Sequence, residues 1–412
     1  MEDHSYAVTR SLARQPLFTK RKPLLSHLDL ELTERCNNAC LHCYINLPVD
    51  DLRAKRHELQ TDQWKDILQQ AANLGALTVR FTGGEPLLRP DFAELYLFAR
   101  RLGLRVLLFT NARLITPELT DLFSRVPPLK KIEVSVYGMH PRSYDTVSCV
   151  PGAYAEFQRG VYLLLQRQIP FVVKSVLLPP NRDERAEFEA WAATLPGMNH
   201  RPSYSIFLDL RGRRDSPAKD RLIKSFRFSP EEGLEILTKN EDEFGKDTAM
   251  FCSKFLGHIG DQLFNCGAGE TGCVDAYGNY QMCVLLRHPN TVYDLSKGTL
   301  REALTEFFPL LRKLRATNPK YLQRCALCFL KGLCEQCPGK SWSEYGTLDT
   351  PVEYHCDLAH AKARYLGLLL SGEHAWEVDD WRSRITALVQ KYNIPESNQR
   401  RDRTPTCQDG DR

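Results

Sequence analysis

The chain has 412 residues, 42% apolar and 26% charged, enough for two to three domains with a sizeable core. Its 55 Lys plus Arg against 51 Asp plus Glu leave +4, too mild a balance for wrapping nucleic acid. No apolar run approaches the ~20 residues that cross a bilayer. The first 25 residues carry Arg10, Arg14, Lys20, Arg21 and Lys22 without an apolar block, so neither membrane nor secretory targeting is expected and the cytoplasm is.

Residues 1–25 read as a polar, basic arm. Leu28, Leu30 and Leu32 alternate with Asp29 and Glu31, a period-two strand. Thr61 is expected to cap a helix whose apolar face is Trp64, Ile67, Leu68, Ala71 and Leu74, with Gly75 ending it. Leu77 to Thr82 is a strand, and Asp91 is expected to cap the next helix. Arg105 to Thr110, Ile132 to Tyr137, Phe171 to Leu177 and Tyr204 to Leu208 complete six strands, with helices from Thr116-Pro117 and over roughly 152–168 and 184–195 between them. Strands alternating with helices predict an α/β core over 26–215 with a parallel sheet, either a partial barrel or a doubly wound sheet. Chemistry then sits at the carboxyl ends of the strands.

The rhythm stops after about residue 210. A helical linker is expected over 216–262, including a helix near Pro230 to Glu243. A cysteine-rich domain follows over 263–360, interrupted by a helix near Leu300 to Leu314 and depending on metal for its order. A helical segment covers 361–392, and the polar tail 393–412 is expected to be disordered.

The 14 cysteines cluster, which in a reducing compartment favours metal over disulfides. Cys36-x3-Cys40-x2-Cys43 follows the first strand. Three such thiolates suit an iron–sulfur cube, and the absence of a local fourth leaves one metal corner open; a zinc site completed by His42 is the alternative. Gly83-Gly84-Glu85-Pro86 follows the second strand. The glycines allow a ligand close to the backbone, and the Glu85 carboxylate suits an ammonium; a plain turn is the alternative. Further on, Cys266 and Cys283 flank a hairpin turning at Gly278, then come Cys325-x2-Cys328-x5-Cys334-x2-Cys337 and Cys356. On spacing, both zinc-ribbon and cube readings stand.

Together these residues resemble the radical S-adenosylmethionine (SAM) superfamily, over about 26–210. The resemblance implies a partial (β/α)6 barrel in which Cys36, Cys40 and Cys43 hold a cube. His42 stands where the family has a ring on adenine, and Gly83-Gly84-Glu85-Pro86 where it binds the methionine amino group. By position, Thr110, Asn111 and Ser135 would reach the ribose, and Lys174 the SAM carboxylate. The implied chemistry is reductive cleavage of SAM to methionine and a 5′-deoxyadenosyl radical that removes a hydrogen from carbon.

The second cysteine group resembles the SPASM extension of that superfamily, departing at Cys334-x2-Cys337, where x3 is usual. The resemblance implies three [4Fe–4S] clusters in all. Auxiliary cluster I would take Cys266, Cys283 and Cys337, with Cys273 or Cys252 as fourth ligand, or an open site. Auxiliary cluster II would take Cys325, Cys328, Cys334 and Cys356. Cys149, read as an inert core thiol, and Cys407 in the tail are not expected as ligands.

The family points to a ribosomally made precursor peptide as substrate and a flavodoxin- or ferredoxin-type reductant. With only about 25 residues before the first strand, recognition is expected from a separate small protein or from the barrel itself. Alternatives are small-molecule chemistry such as tetrapyrrole or cofactor biosynthesis, and sulfatase maturation. Val284 counts against the latter, because an Asp normally follows the cysteine equivalent to Cys283. An electron carrier does not account for the three-cysteine loop. Arg211-Gly212-Arg213-Arg214 reads as a solvated charged loop rather than a site for an acidic leader. Tyr137 and Asp209 are the candidates for hydrogen donor or general base.

Overall fold

The computed structural model describes residues 24–238, 244–246, 248–250, 260–264, 271–330, 333–334 and 337–394. Cys252, Cys266 and Cys407, and nearly all of the expected arm and tail, lie outside the described residues. The chain forms two compact units, one within Met1–Arg227 and Cys266–Leu311, the other within Phe228–Asn265 and Arg312–Arg412. These boundaries differ from the expected division at 215 and 262.

In the first unit the strands are β1 (His27–Thr33), β2 (Arg35–Cys36), β3 (Leu47–Pro48), β4 (Thr78–Gly83), β5 (Arg105–Thr110), β6 (Leu129–Val136), β7 (Phe171–Val176), β8 (Ser203–Ser205), β9 (Thr271–Val274), β10 (Asn279–Gln281) and β11 (Val292–Asp294). β1, β4, β5, β6, β7 and β8 lie side by side in chain order, all parallel. This is the succession of a partial barrel, with each crossover helical. The period-two pattern of β1 holds: Leu28, Leu30 and Leu32 are fully buried on one face. On the other face a ladder of charge crosses the strands. Asp29 meets Arg80 at 3.0 Å, Arg80 and Lys174 both lie over the Phe109 ring, and Lys174 meets Glu133 at 2.7 Å.

The helices are α1 (Leu52–His57), α2 (Thr61–Asn73), α3 (Phe92–Arg101), α4 (Pro117–Arg125), α5 (Pro141–Ser148), α6 (Ala153–Gln166), α7 (Arg185–Ala193) and α8 (Pro217–Ser225). α2 buries Trp64, Ile67, Leu68 and Ala71 as its spacing predicts. Its cap is Gln60 in a reciprocal capping box with Gln63, not Thr61. The Thr61 hydroxyl instead donates to Asp91 at 2.7 Å. Asp91, held also by Arg89, does not cap α3 with its side chain. Neither α1 nor α5 was evident in the sequence, and α5 proves to seat the cysteine loop.

The hairpin β9–β10, with Gly278 at φ +86°, extends the barrel sheet: β9 runs parallel to β1, pairing Cys273 with Asp29. Half of the region expected to form a separate cysteine-rich domain is thus part of the barrel unit.

The second unit contains α9 (Pro230–Thr238) and helices Pro338–Tyr345, Glu353–Tyr365 and Trp381–Lys391. Its cysteine run is not without a core of its own. Phe329 and Leu330, between Cys328 and Cys334, are fully buried with Ala363, Leu366, Trp381 and Leu388, and the Phe329 and Trp381 rings stack at 6.1 Å. Metal is therefore not the sole source of order there, because apolar burial of this kind stabilises on its own. Among the described residues, no helix is long and apolar enough to cross a membrane.

Candidate functional site

The carboxyl end of β1 is locked before the cysteine loop begins. The Arg35 guanidinium pairs with buried Glu58 at 2.9 Å, and the Thr33 hydroxyl donates to the same carboxylate. Glu34, also buried, meets Arg213 and Arg287, and Arg287 forks further onto fully buried Glu31 at 2.5 and 2.6 Å. A buried carboxylate needs such partners.

From this anchor the loop carries Cys36, Cys40 and Cys43. Its amides reach its own sulfurs: Asn38 N–H donates to Cys36 Sγ and Asn46 N–H to Cys43 Sγ, both at 3.4 Å. α5 takes two more loop amides, Ala39 N–H on Ser148 O (2.9 Å) and Leu41 N–H on Val147 O (3.0 Å). Three cations clamp the loop by its oxygens. Arg113, held by Glu156, donates to Asn37 O and Asn38 Oδ1. Lys219 donates to Cys40 O at 2.5 Å. Arg211, only 4% exposed, donates to Cys43 O and Asn46 O at 3.2 and 3.1 Å and pairs with Asp215. The segment 211–214 is thus no solvated loop: Arg211 is buried and Arg213 is engaged by Glu34. Neither Arg113 nor Lys219 was singled out in the sequence. Arg211 was at least visible as a cation in a charged linker, but its distance from the loop hid its role.

Burial pushes the Cys40 thiol up to about 12, helped by the neighbouring Cys43. A thiol so placed becomes a thiolate only with a metal to replace its proton. His42 is half-buried, its Nδ1 has no hydrogen-bond partner, and burial followed by the Lys219 charge lowers it to about 4. A neutral ring with an unmet polar atom beside three thiols fits a nucleobase contact. Tyr137 lies behind this loop, its ring 5.8 Å from His42 and 5.4 Å from Tyr144, in an apolar cluster with Leu41 and Val147. That placement makes it backing for the loop rather than a free hydrogen donor. Asp209 is half-buried between buried Leu208 and Leu210. Cys149 lies within the barrel unit, exposed at a left-handed helix end, φ 55°.

Gly83 and Gly84 approach the chain's own backbone. A Cβ on Gly83 would lie 2.1 Å from Thr33 O, and one on Gly84 2.2 Å from Arg35 O, which is why neither position takes a side chain. Glu85 is fully buried and accepts from Thr110 Oγ1 and Asn111 N–H, each at 2.8 Å, and from Leu87 N–H at 3.2 Å. Burial outweighs these donors and raises it to about 7. Its carboxylate therefore ties the ends of β4 and β5 together rather than standing free for an ammonium. Asn111 is turned to the loop by its amide on Asn37 Oδ1 at 2.7 Å. Ser135 sits in β6 beside Lys174 of β7 in register. Lys174 is already paired with Glu133, so it is not a free cation for the SAM carboxylate.

Elsewhere in this unit, Cys273 is fully buried, with Glu31, Arg287, Asp29 and Asp275 as its charged neighbours, and Cys283 is half-buried.

In the second unit Cys325, Cys328, Cys334, Cys337 and Cys356 line one pocket. Burial and the negative charge of neighbouring thiolates raise Cys325 to about 12, and raise Cys328 further; the neighbours are Cys334 and Cys356 for both, and Cys325 for Cys328. Among the described residues no three His, Cys, Asp or Glu groups converge on a single-ion position.

A family model described as the radical SAM superfamily matches residues 30–192. The chain is 26% identical over 329 residues to the AdoMet-dependent heme synthase of Methanosarcina barkeri, 77% of this chain and 92% of that one. It is 31% identical over 286 residues to the AdoMet-dependent heme synthase of Oleidesulfovibrio alaskensis, 59% of this chain and 70% of that one. The chain belongs to the radical SAM superfamily. It is an enzyme of that kind, and the superfamily binds SAM and a [4Fe–4S] cluster. A shorter match, 35% identical over 155 residues, links 38% of this chain to 40% of the PqqA peptide cyclase of Xanthomonas axonopodis pv. citri. The fold is shared with native anSMEcpe with bound AdoMet, at TM-score 0.58 and 15% identity, over 89% of this chain and 100% of that one.

Proposed function

We propose that this enzyme cleaves SAM reductively and uses the radical to modify a peptide substrate. When bound, the cube and SAM supply a 5′-deoxyadenosyl radical that takes a hydrogen atom from carbon. Cys36, Cys40 and Cys43 would hold that cube, leaving its fourth corner to SAM. His42 would face the adenine, and Asn111, oriented by Glu85 and Asn37, the ribose. Arg113, Arg211 and Lys219 keep the three-thiol loop in shape. The observation that carries the reading is this clamped loop of three thiols beside an unsatisfied neutral imidazole.

The pocket lined by five thiols supports an auxiliary cube on Cys325, Cys328, Cys334 and Cys356. Such a group would take the electron that a substrate radical gives up, the proton leaving to water, with a flavodoxin- or ferredoxin-type donor priming the barrel cube. Cys283 and Cys337 stay as the candidates that the family resemblance gives for auxiliary cluster I. The 35% identity to a PqqA peptide cyclase over 155 residues supports a peptide as substrate. A second reading, a tetrapyrrole substrate, is favoured by the similarity to heme synthases, which covers most of both chains.

The test is anaerobic: reconstituted protein, dithionite, SAM and either a precursor peptide encoded beside the gene or a porphyrin precursor. Release of 5′-deoxyadenosine that rises with the peptide, and a matching mass change in it, is the expected result. A rise with the tetrapyrrole alone overturns the peptide reading, and no release with either overturns both.

A further inference from the structure

We propose that Arg324 is a positioning residue that raises the reduction potential of the cube on Cys325, Cys328, Cys334 and Cys356, by placing its charge on the Cys356 sulfur. The inference rests on the reading that these thiols hold a cube. Arg324 lies in the helical turn Tyr321–Cys325, immediately before the first of the four ligands. Glu353 and Cys356 stand three residues apart, on one face of the helix Glu353–Tyr365. The guanidinium spans both. Nη1 and Nη2 donate to the two Glu353 oxygens, each at 2.8 Å, and Nη2 also donates to Cys356 Sγ at 3.3 Å. Its carbon lies over the Trp376 ring, 4.6 Å from the ring centre, a further contact that holds the guanidinium. Arg324 Nε is buried with no partner, although the residue lines the thiol pocket. A buried donor at that wall is what a cluster sulfide would satisfy.

A second donor reaches the same cysteine. Ala375 N–H donates to His360 Nε2 at 3.2 Å, so the neutral ring carries its proton on Nδ1. That nitrogen lies 2.8 Å from Cys356 O and 3.6 Å from Cys356 Sγ. Hydrogen bonds to sulfur and nearby positive charge stabilise the more negative, reduced cube, and so raise its potential. Glu353 orients the guanidinium and offsets part of its charge. The two residues of one ion pair should thus move the potential in opposite directions, which a merely structural pair would not do.

The experiment is a potentiometric titration, followed by electron paramagnetic resonance, of the full chain with Cys36, Cys40 and Cys43 replaced by Ala to remove the barrel signal. In this background Arg324→Gln should lower the one-electron reduction constant about tenfold, a shift of 59 mV. Glu353→Gln should shift it upward, and Arg324→Lys should fall between wild type and Arg324→Gln. Full iron loading with an unmoved midpoint in both Gln variants overturns the proposal alone. If Arg324→Gln fails to hold the cube, Glu353→Gln decides: an upward shift supports the proposal, and none overturns it. A background protein whose iron does not fall when Cys325 and Cys328 are replaced overturns the cube reading, and the proposal with it.

Discussion

In the barrel unit, cations reach the cysteine loop through its oxygens. Arg113, Arg211 and Lys219 donate to main-chain carbonyls and to Asn38, while the donors described on the sulfurs are uncharged: loop amides, the Asn111 side-chain amide on Cys36 and the Tyr137 side chain on Cys40. In the second unit the Arg324 guanidinium reaches a cysteine sulfur itself, that of Cys356. The barrel loop is built to hold a shape with one corner unfilled, so that a cofactor can enter and leave. The other pocket offers five thiols and a fixed charge. Under the function proposed above, the difference would separate a cluster that must bind something from one that must only change its charge.

The largest test of this contrast is loss of Cys36, Cys40 or Cys43. Each Ala variant should bring 5′-deoxyadenosine release to background and cost about four irons, while the thiol pocket of the second unit keeps its own. Loss of iron from both regions would merge the two. Next is Arg211→Met. It takes the guanidinium from Cys43 O and Asn46 O, while exposed Asp215 keeps Arg213, a loss of about 1–2 kcal/mol from the unmet hydrogen bonds. Chemical denaturation should show it, with iron lost from the barrel site first.

The third concerns Glu85. Its folded value near 7 lies above the ordinary 4.5, so its contribution is full below about 4.5 and is lost as pH rises toward 7. Denaturant unfolding of the apo chain should show a decline of about 3 kcal/mol from this group across that window. Glu85→Gln should flatten the slope; a slope unchanged in that variant would show that other groups set it. The smallest is His42→Leu, expected to raise the KM for SAM about fivefold, about 1 kcal/mol, by removing a ring contact, with kcat nearly kept. No change in KM would remove His42 from the cofactor site.

The sequence was most legible where chemistry and local spacing coincide. Cys36, Cys40 and Cys43 announce themselves within eight residues, and the strand-and-helix alternation from Leu28 to Tyr204 gives the parallel sheet with helical crossovers, the partial barrel coming from the family resemblance. It was least legible where a residue acts on distant chain. Arg211 looks like part of a basic surface run until its carbonyl partners are seen. Gly83 and Gly84 read as room for a ligand, but the room is filled by Thr33 O and Arg35 O. Lys174 reads as a free cation because Glu133, on the neighbouring strand, is invisible to local pattern. The place of the late hairpin in the barrel sheet was hidden for the same reason: β9 pairs with β1 across more than 240 residues, and no spacing rule reports such a pairing.

The reach of Arg211 has a bearing on how the enzyme is made. It grips a loop 168 residues earlier in the chain. A ribosome adding roughly 5–20 residues each second needs on the order of 10–30 seconds to cross that gap. The same interval separates the emergence of the three cysteines from the exit tunnel and the emergence of their clamp Arg211. Iron delivered early would meet a pliable loop, so maturation of the cofactor belongs after the last barrel strand has emerged.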